Sequence, residues 1–220
     1  MSSLHSSRRE GKIPSAVITR LPIYYRYLTE LPAAQEKISS SELGEALDLT
    51  AAQIRSDLSY FGSFGLHGYG YNVNELRKNI KKILGLDRIH SLILLGAGNL
   101  GRAIACYQNF YRRGFEINAI FDSDPALVGE LLSGCRISSI DKLEEYLTDN
   151  HCDIAVITTP KEVAQLICDR LVKAGVKAIW NFAPISLKVP DDVIVEHTHL
   201  TNSLLQLSFR LTNQRKDNER

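Results

Sequence analysis

An α/β protein in two parts is predicted by three observations. Apolar residues recur at helical spacing over residues 14–84, and from Ser91 onward short apolar runs alternate with helical stretches. The third observation is a glycine pattern, Gly96-Ala97-Gly98-Asn99-Leu100-Gly101, standing where the first apolar run gives way to a helix. The first part, residues 1–85, reads as an N-terminal winged helix-turn-helix domain, and residues 86–198 as a C-terminal Rossmann domain. Residues 199–220 form a C-terminal helix and tail.

In the first part, Leu21, Tyr24, Tyr25 and Leu28 make one helical face. Leu43, Ala46 and Leu47 make a second, and Ile54 and Leu58 a third. Ser39, Ser40 and Ser41 offer an N-cap ahead of Glu42-Leu43-Gly44, and Thr50 caps residues 51–60. With Asp48-Leu49 as the short connection, these two helices form a helix-turn-helix. Over residues 61–71 glycines alternate with aromatics, the pattern of a hairpin that would be the wing. Residues 74–84 make a basic amphipathic helix carrying Arg77, Lys78, Lys81 and Lys82. A boundary falls at residues 85–90. Beyond it the apolar runs 92–95, 117–121, 154–157, 176–180 and 193–195 are expected to be strands of a parallel sheet covered by helices, the first helix spanning 100–111.

Composition narrows the function classes. With 44% hydrophobic and 23% charged residues the chain can bury a sizeable core. No apolar run approaches the roughly 20 residues of a membrane span. Residues 1–12 lack the apolar stretch of a signal peptide, so a cytoplasmic protein is expected. Cys106, Cys135, Cys152 and Cys168 show neither a CxxC pair nor nearby histidines, and they read as buried thiols rather than a metal site or disulfides. The formal charge of +1 divides unevenly: 11 basic against 8 acidic residues through Gly85, then 15 against 17. That asymmetry permits a nucleic-acid surface at the front of the chain.

The glycine pattern follows a strand and opens a helix, the setting in which it binds dinucleotides. Gly96 makes the tight turn, Gly98 lets a pyrophosphate approach the backbone, and Gly101 lets helix and strand pack closely. Ala97, Asn99 and Leu100 complete the loop. Asp122 ends the next strand, 21 residues beyond Gly101, where it would accept hydrogen bonds from the adenosine ribose; with no arginine after it, it favours NAD and NADH over NADP. Thr158-Thr159-Pro160 and Asn181-Phe182-Ala183-Pro184 end later strands at their carboxyl edges. There they either face the nicotinamide or only shape loops. Tyr107 either lies against the nicotinamide ring or is a core aromatic.

A dehydrogenase would need a substrate domain, yet about 35 residues follow Ile185. No catalytic base has a defensible position, and His197 and His199 are read as surface or packing residues. An enzyme is therefore not expected. A metabolite-sensing repressor without a dinucleotide is a second rival, opposed by Asp122 and the glycine spacing.

On the third helix, Gln53, Arg55, Ser56, Asp57 and Ser59 form the polar face, and Arg and Gln suit the edges of G and A in a major groove. A solvated helix face would look the same. Ser41, Thr50, Tyr60 and the wing residues His67, Gly68, Tyr69 and Gly70 complete the candidate DNA set. Arg20, Arg26, Lys78, Lys81 and Lys82 are candidate phosphate contacts.

Taken in order, the strings Ile13-Pro14, Arg20-Leu21-Pro22-Ile23-Tyr24-Tyr25-Arg26, Ser40-Ser41-Glu42-Leu43, Ile54-Arg55-Ser56-Asp57-Leu58-Ser59-Tyr60-Phe61-Gly62, Gly68-Tyr69-Gly70-Tyr71, the glycine pattern and Asn181-Phe182-Ala183-Pro184 are specific. On these the chain resembles the Rex family of redox-sensing transcriptional repressors over residues 13–209. The resemblance implies a homodimer whose C-terminal helix, residues 200–212, is exchanged between Rossmann domains. It also implies binding to a palindromic operator that NADH releases and NAD restores. Four positions depart from some relatives: Ser56 and His67 stand where those carry basic residues, and His199-Leu200 where they carry Asp-Phe.

Overall fold

The computed structural model describes residues 13–62 and 70–218, and the chain divides into two compact units, one running to Arg88 and the other starting at Ile89. The first begins with helix α1 (Ser15–Glu30), which buries Val17, Leu21, Tyr24 and Leu28. Strand β1 (Lys37–Ile38) then leads into α2 (Ser40–Ala46) and α3 (Ala51–Ser59). Of the three candidate serines, Ser39 is the N-cap of α2. Its hydroxyl accepts from the Glu42 N–H and the Glu42 carboxylate accepts from the Ser39 N–H, a closed capping box. Thr50 caps α3 by accepting from the Gln53 N–H. The turn between them is a Schellman stop: the Leu49 N–H reaches the Gly44 carbonyl at 2.8 Å, with Asp48 left-handed at φ 54° in the place a glycine often takes.

Two details of these helices differ from the sequence reading. Ala46 is exposed, and Gly44 takes the buried place beside Leu43. Asp57, expected on the polar face of this helix, is 2% exposed and points into the unit. There the Arg20 guanidinium meets it with two bonds, Nε to Oδ2 at 2.6 Å and Nη2 to Oδ1 at 2.8 Å, and the Tyr24 hydroxyl donates at 2.5 Å. Burial pushes the Asp57 carboxyl up, but the hydrogen bonds from Arg20 and Tyr24 and the Arg20 charge outweigh it and hold it below the ordinary carboxylate range. Burial and the Asp57 carboxylate together push the Tyr24 phenol above its usual value.

Strand β2 (Tyr71–Asn72) pairs antiparallel with β1, and Asn72 caps α4 (Val73–Ile83), which buries Val73, Leu76 and Ile80 against the same core. Gly70 lies at the start of this pairing. His67, Gly68 and Tyr69 of the expected wing lie outside the described residues.

The second unit is a seven-stranded sheet. Its parallel strands are β3 (His90–Leu95), β4 (Phe115–Asp122), β6 (Cys135–Ser139), β7 (Ile154–Ile157), β8 (Ala178–Asn181) and β9 (Ile194–His197). Strand β5 (Leu131–Leu132) adds antiparallel to β6, giving the order β5-β6-β4-β3-β7-β8-β9. Without β5 this is the doubly wound order of dinucleotide-binding sheets, and its direction reverses between β3 and β7. Helices α7 (Leu143–Asp149) and α8 (Lys161–Lys173) follow β6 and β7, and one core contains Leu143, Ala164 and Leu171 with Ile93, Leu95 and Ile157. The opposite face, with Leu92, Leu94 and Val156, packs against Ile104 and Ala105 of α5 (Asn99–Ala105). Each such leucine, isoleucine or valine contributes roughly 1.5–3 kcal/mol by leaving water.

All five expected strands occur. The hairpin β5–β6 was not foreseen: its turn, Ser133-Gly134, has positive φ at both residues (52° and 87°), and its strands are short or polar. The strand expected at 176–180 begins at Ala178, because Val176 is buried in the turn before it. The helix expected over 100–111 breaks after Ala105 and resumes as α6 (Asn109–Arg112), and the Phe110 ring there meets Trp180 edge-on at 5.7 Å. Of the cysteines expected to be buried, only Cys168 is. Cys135 and Cys152 are half-buried, and Cys106, at the helix break, is exposed. Burial pushes the Cys152 and Cys168 thiols up to about 11. Among the described residues no helix is long and apolar enough to cross a membrane. Helix α9 (Leu200–Asn218) closes the described chain.

The Asp57 contacts yield a stability prediction. Breaking a buried pair leaves the other charge uncompensated, at a cost of about 3–5 kcal/mol when both are fully buried. Since one-fifth of the Arg20 side chain is exposed, Asp57→Asn should destabilise the first unit by about 2–3 kcal/mol in urea unfolding. The depressed Asp57 value contributes stability in full above the ordinary carboxylate range. The parent should lose it as pH falls below about 4, whereas the Asn variant should lack this component.

Candidate dinucleotide site and nucleic-acid interface

At the carboxyl ends of β3 and β7 the backbone is crowded in one place and open in another. Gly96 turns the chain with φ 99°, and its carbonyl accepts from the Thr158 hydroxyl at 2.7 Å. The same hydroxyl lies 3.0 Å from the Leu95 carbonyl. A Cβ on Gly101 would overlap the Gly96 carbonyl oxygen, so only a glycine lets α5 leave the turn at this angle. At Gly98 a Cβ would meet nothing within 4 Å, and the residue is exposed. Two of the three glycine roles are thus visible as contact, and the third as an open cradle.

Asp122 closes the other side. One carboxylate oxygen accepts from the Ala97 N–H at 2.5 Å and the other from the Asp124 N–H at 2.8 Å, which fixes the acid beside the glycine turn. Asn99 and Leu100 begin α5. Beyond β7, Thr159 packs its methyl near Gly96, and its hydroxyl is buried with no hydrogen-bond partner among the described residues. A buried hydroxyl without a partner costs about 1–3 kcal/mol, a cost that a polar group from outside the chain could offset. Pro160 is the N-cap residue of α8.

The residues at the end of β8 differ in burial. Asn181 is fully buried: its amide Nδ2 donates to the carbonyls of Ala183 and Ile185 and lies 3.1 Å from His197 Nδ1, while Oδ1 accepts from the Ala183 N–H. Its side chain shapes the loop rather than facing solvent. Phe182 is half-buried against Trp180, and Ala183 is buried. Tyr107 lies in the break after α5, 52% exposed, its ring edge-on to Phe110 and its hydroxyl accepting from Asn109. It is therefore no core aromatic. His197 and His199 stack with parallel rings, both half-buried.

On the first unit, the exposed residues of α3 are Ala52, Arg55, Ser56 and Ser59, one stripe at helical spacing. Gln53 and Tyr60 flank it half-buried, and Ser41 and Thr50 are exposed at the starts of α2 and α3. Ser40 was not foreseen: its hydroxyl accepts from Arg55 Nη1 at 2.9 Å and steadies that guanidinium, a pairing across 15 residues that no local pattern announces. Arg26, Lys78, Lys81 and Lys82 are exposed. Arg20 is committed to Asp57.

Residues 12–59 match a family model described as "Putative DNA-binding protein N-terminus", and residues 87–185 one described as "CoA binding domain". The redox-sensing transcriptional repressor Rex of Caldanaerobacter subterraneus subsp. tengcongensis is 52% identical over 92% of this chain and 91% of its own. The chain belongs to the Rex family of redox-sensing transcriptional repressors. Solved structures agree. The crystal structure of RSP with β-NAD+ and operator DNA superposes with TM-score 0.89 at 48% identity, covering 96% of this chain and 97% of that one. RSP with β-NADH gives TM-score 0.87 at 46% identity, covering 96% and 99%.

Within this Rex-family fold the two open-and-closed glycines predict opposite outcomes. Gly101→Ala should cost the second unit about 1–3 kcal/mol through overpacking, read by thermal unfolding. Gly98→Ala should unfold like the parent.

Proposed function

We propose that this chain is a redox-sensing transcriptional repressor that binds operator DNA as a homodimer and leaves it when NADH replaces NAD in the second unit. One observation carries the reading: the open cradle at Gly98 beside the fixed Asp122 carboxylate, in a chain 48% identical to a protein crystallised with β-NAD+ and operator DNA. Close relatives are named as repressors, and this chain is a regulator rather than an enzyme. Residues 1–85 read DNA, residues 86–198 hold the dinucleotide, and residues 199–220 supply the dimerisation helix and tail. The protein works in the cytoplasm, where its operator is.

In this reading the loop from Gly96 to Gly101 receives the pyrophosphate and Asp122 receives the ribose hydroxyls. Thr158, Thr159, Pro160, Phe182 and Ala183 line the nicotinamide half, with the Thr159 hydroxyl supplying a hydrogen bond. Asn181 sets the course of that wall, and Tyr107 stands at its exposed edge. A bound nicotinamide supplies a charge difference, cationic when oxidised and neutral when reduced. The same Asp122 argues against coenzyme A, whose adenosine ribose carries a phosphate that a carboxylate fixed there would repel.

Arg55 reads a base edge, with Gln53, Ser56, Ser59 and Tyr60 beside it; Ser41, Thr50 and Gly70, and the expected wing residues His67, Gly68 and Tyr69, complete the DNA-reading set. Arg26 and the α4 lysines contact phosphate. Arg20 acts through Asp57 on the placement of α3. Helix α9 supplies the dimer contact. Its Leu200, Leu204, Leu205, Leu207 and Phe209 are all more than 60% exposed in the single chain, which favours a partner over packing on its own domain. Two α3 helices can then meet successive major grooves about 34–36 Å apart, a spacing that rotation of one subunit would spoil.

Titrating operator-bound protein separately with NAD, NADH, NADPH and coenzyme A should release DNA with NADH alone, at one site per subunit. Operator binding indifferent to NADH would refute the reading. For the DNA surface, Arg55→Ala should cost about 1–3 kcal/mol on the operator and little on random DNA. Lys82→Ala should weaken both alike in the same binding assay.

A further inference from the structure

We infer that Trp180, through its hydrogen bond to Thr198, is a positioning residue that carries the state of the dinucleotide pocket to the root of α9. The inference rests on the repressor reading above. Strand β8 ends at the wall formed by Phe182 and Ala183, and the Trp180 ring lies 4.5 Å from that of Phe182 at a tilt of 53°. On its other side Trp180 meets Phe110 edge-on, and Phe110 meets Tyr107 edge-on at 4.9 Å. The indole thus touches Phe182 in the wall directly and reaches Tyr107 at its exposed edge through Phe110.

Its polar end points elsewhere. The Trp180 Nε1–H donates to the Thr198 hydroxyl at 2.8 Å, and Thr198 stands two residues before Leu200, the first residue of α9. A half-buried indole N–H needs a partner, and this one takes it from the segment that launches the helix. The backbone makes the same junction stiff, since the Thr198 N–H donates to the Asn181 carbonyl at 2.9 Å.

Two side chains therefore tie the pocket wall to the root of α9, one on each face of the sheet. Asn181 is fully buried and holds its partners in a fixed knot. Trp180 and Phe182 are both half-buried and are held by ring contacts rather than by such a knot. A shift of Phe182 on the reduced ring's side is passed by the indole to Thr198 and so to the direction in which α9 leaves the sheet. Coupling between two sites needs such an element, biased by both.

Trp180 is the chain's single tryptophan, so its emission reports occupancy directly: a reduced nicotinamide absorbs where indole emits, and an oxidised one does not. Thr198→Val keeps the branched shape and removes the acceptor, and Thr198→Ser keeps the hydroxyl. Thr198→Val should bind NADH with parental affinity by Trp180 quenching. The factor by which saturating NADH weakens operator binding should nevertheless fall about fivefold, the worth of one net hydrogen bond, and Thr198→Ser should restore it. Should Thr198→Val fail to fold, Trp180→Phe removes the donor instead and should show the same fall, with NADH affinity read from nicotinamide fluorescence. A folded variant that keeps the parental factor overturns the inference while leaving the repressor reading intact. A parent chain whose operator binding ignores NADH overturns both.

Discussion

The Gly96 carbonyl oxygen accepts the Thr158 hydroxyl on one side and faces the bare Cα of Gly101 on the other. That crowding sets the distance between β3, β7 and the start of α5, the three elements at which the sheet reverses direction. Because Thr158 is bonded to the turn, β7 cannot slide along β3. Because Gly101 lacks a side chain, α5 lies close enough for Ile104 and Ala105 to reach Leu92 and Leu94. The openness at Gly98 is the counterpart of the tightness at Gly101, so pocket and packing arise from one run of six residues.

The first unit depends on a different kind of contact. Its apolar positions would tolerate some rotation of α3, but a bidentate guanidinium and a phenol converging on one carboxylate do not. A buried ion pair adds little net stability against an apolar replacement. Its value at this position is orientation, since Arg55 and Ser56 lie on the turn of helix before Asp57 and take their direction from it.

Features carried by neighbouring residues were legible in the sequence. The capping serine and threonine, the glycine turn and the strands of β-branched residues depend on local spacing, and each was found within a few positions. Features that depend on distant partners were not. Asp57 has the polar character of its neighbours until Arg20, 37 residues away, is brought against it. Nothing in residues 100–111 shows that Phe110 will leave the helix line to meet Trp180. For Asn181 the sequence leaves open whether it faces a ligand or shapes a loop, because the burial that decides it comes from the side it shares with Ile179 on β8, where its amide is spent on the loop that follows. The short β5 escaped for a simpler reason: two leucines before a Ser-Gly turn have too little length to show a period.

Helix α9 carries its leucines uncovered on every described side, and this makes dilution a variable of the protein's own thermodynamics. In the proposed dimer a second copy covers these side chains, so the free energy of that covering enters the folding equilibrium by mass action. A melting temperature for the second unit is then meaningful only at a stated protein concentration. A cell that makes more of the chain also makes each copy of it harder to unfold.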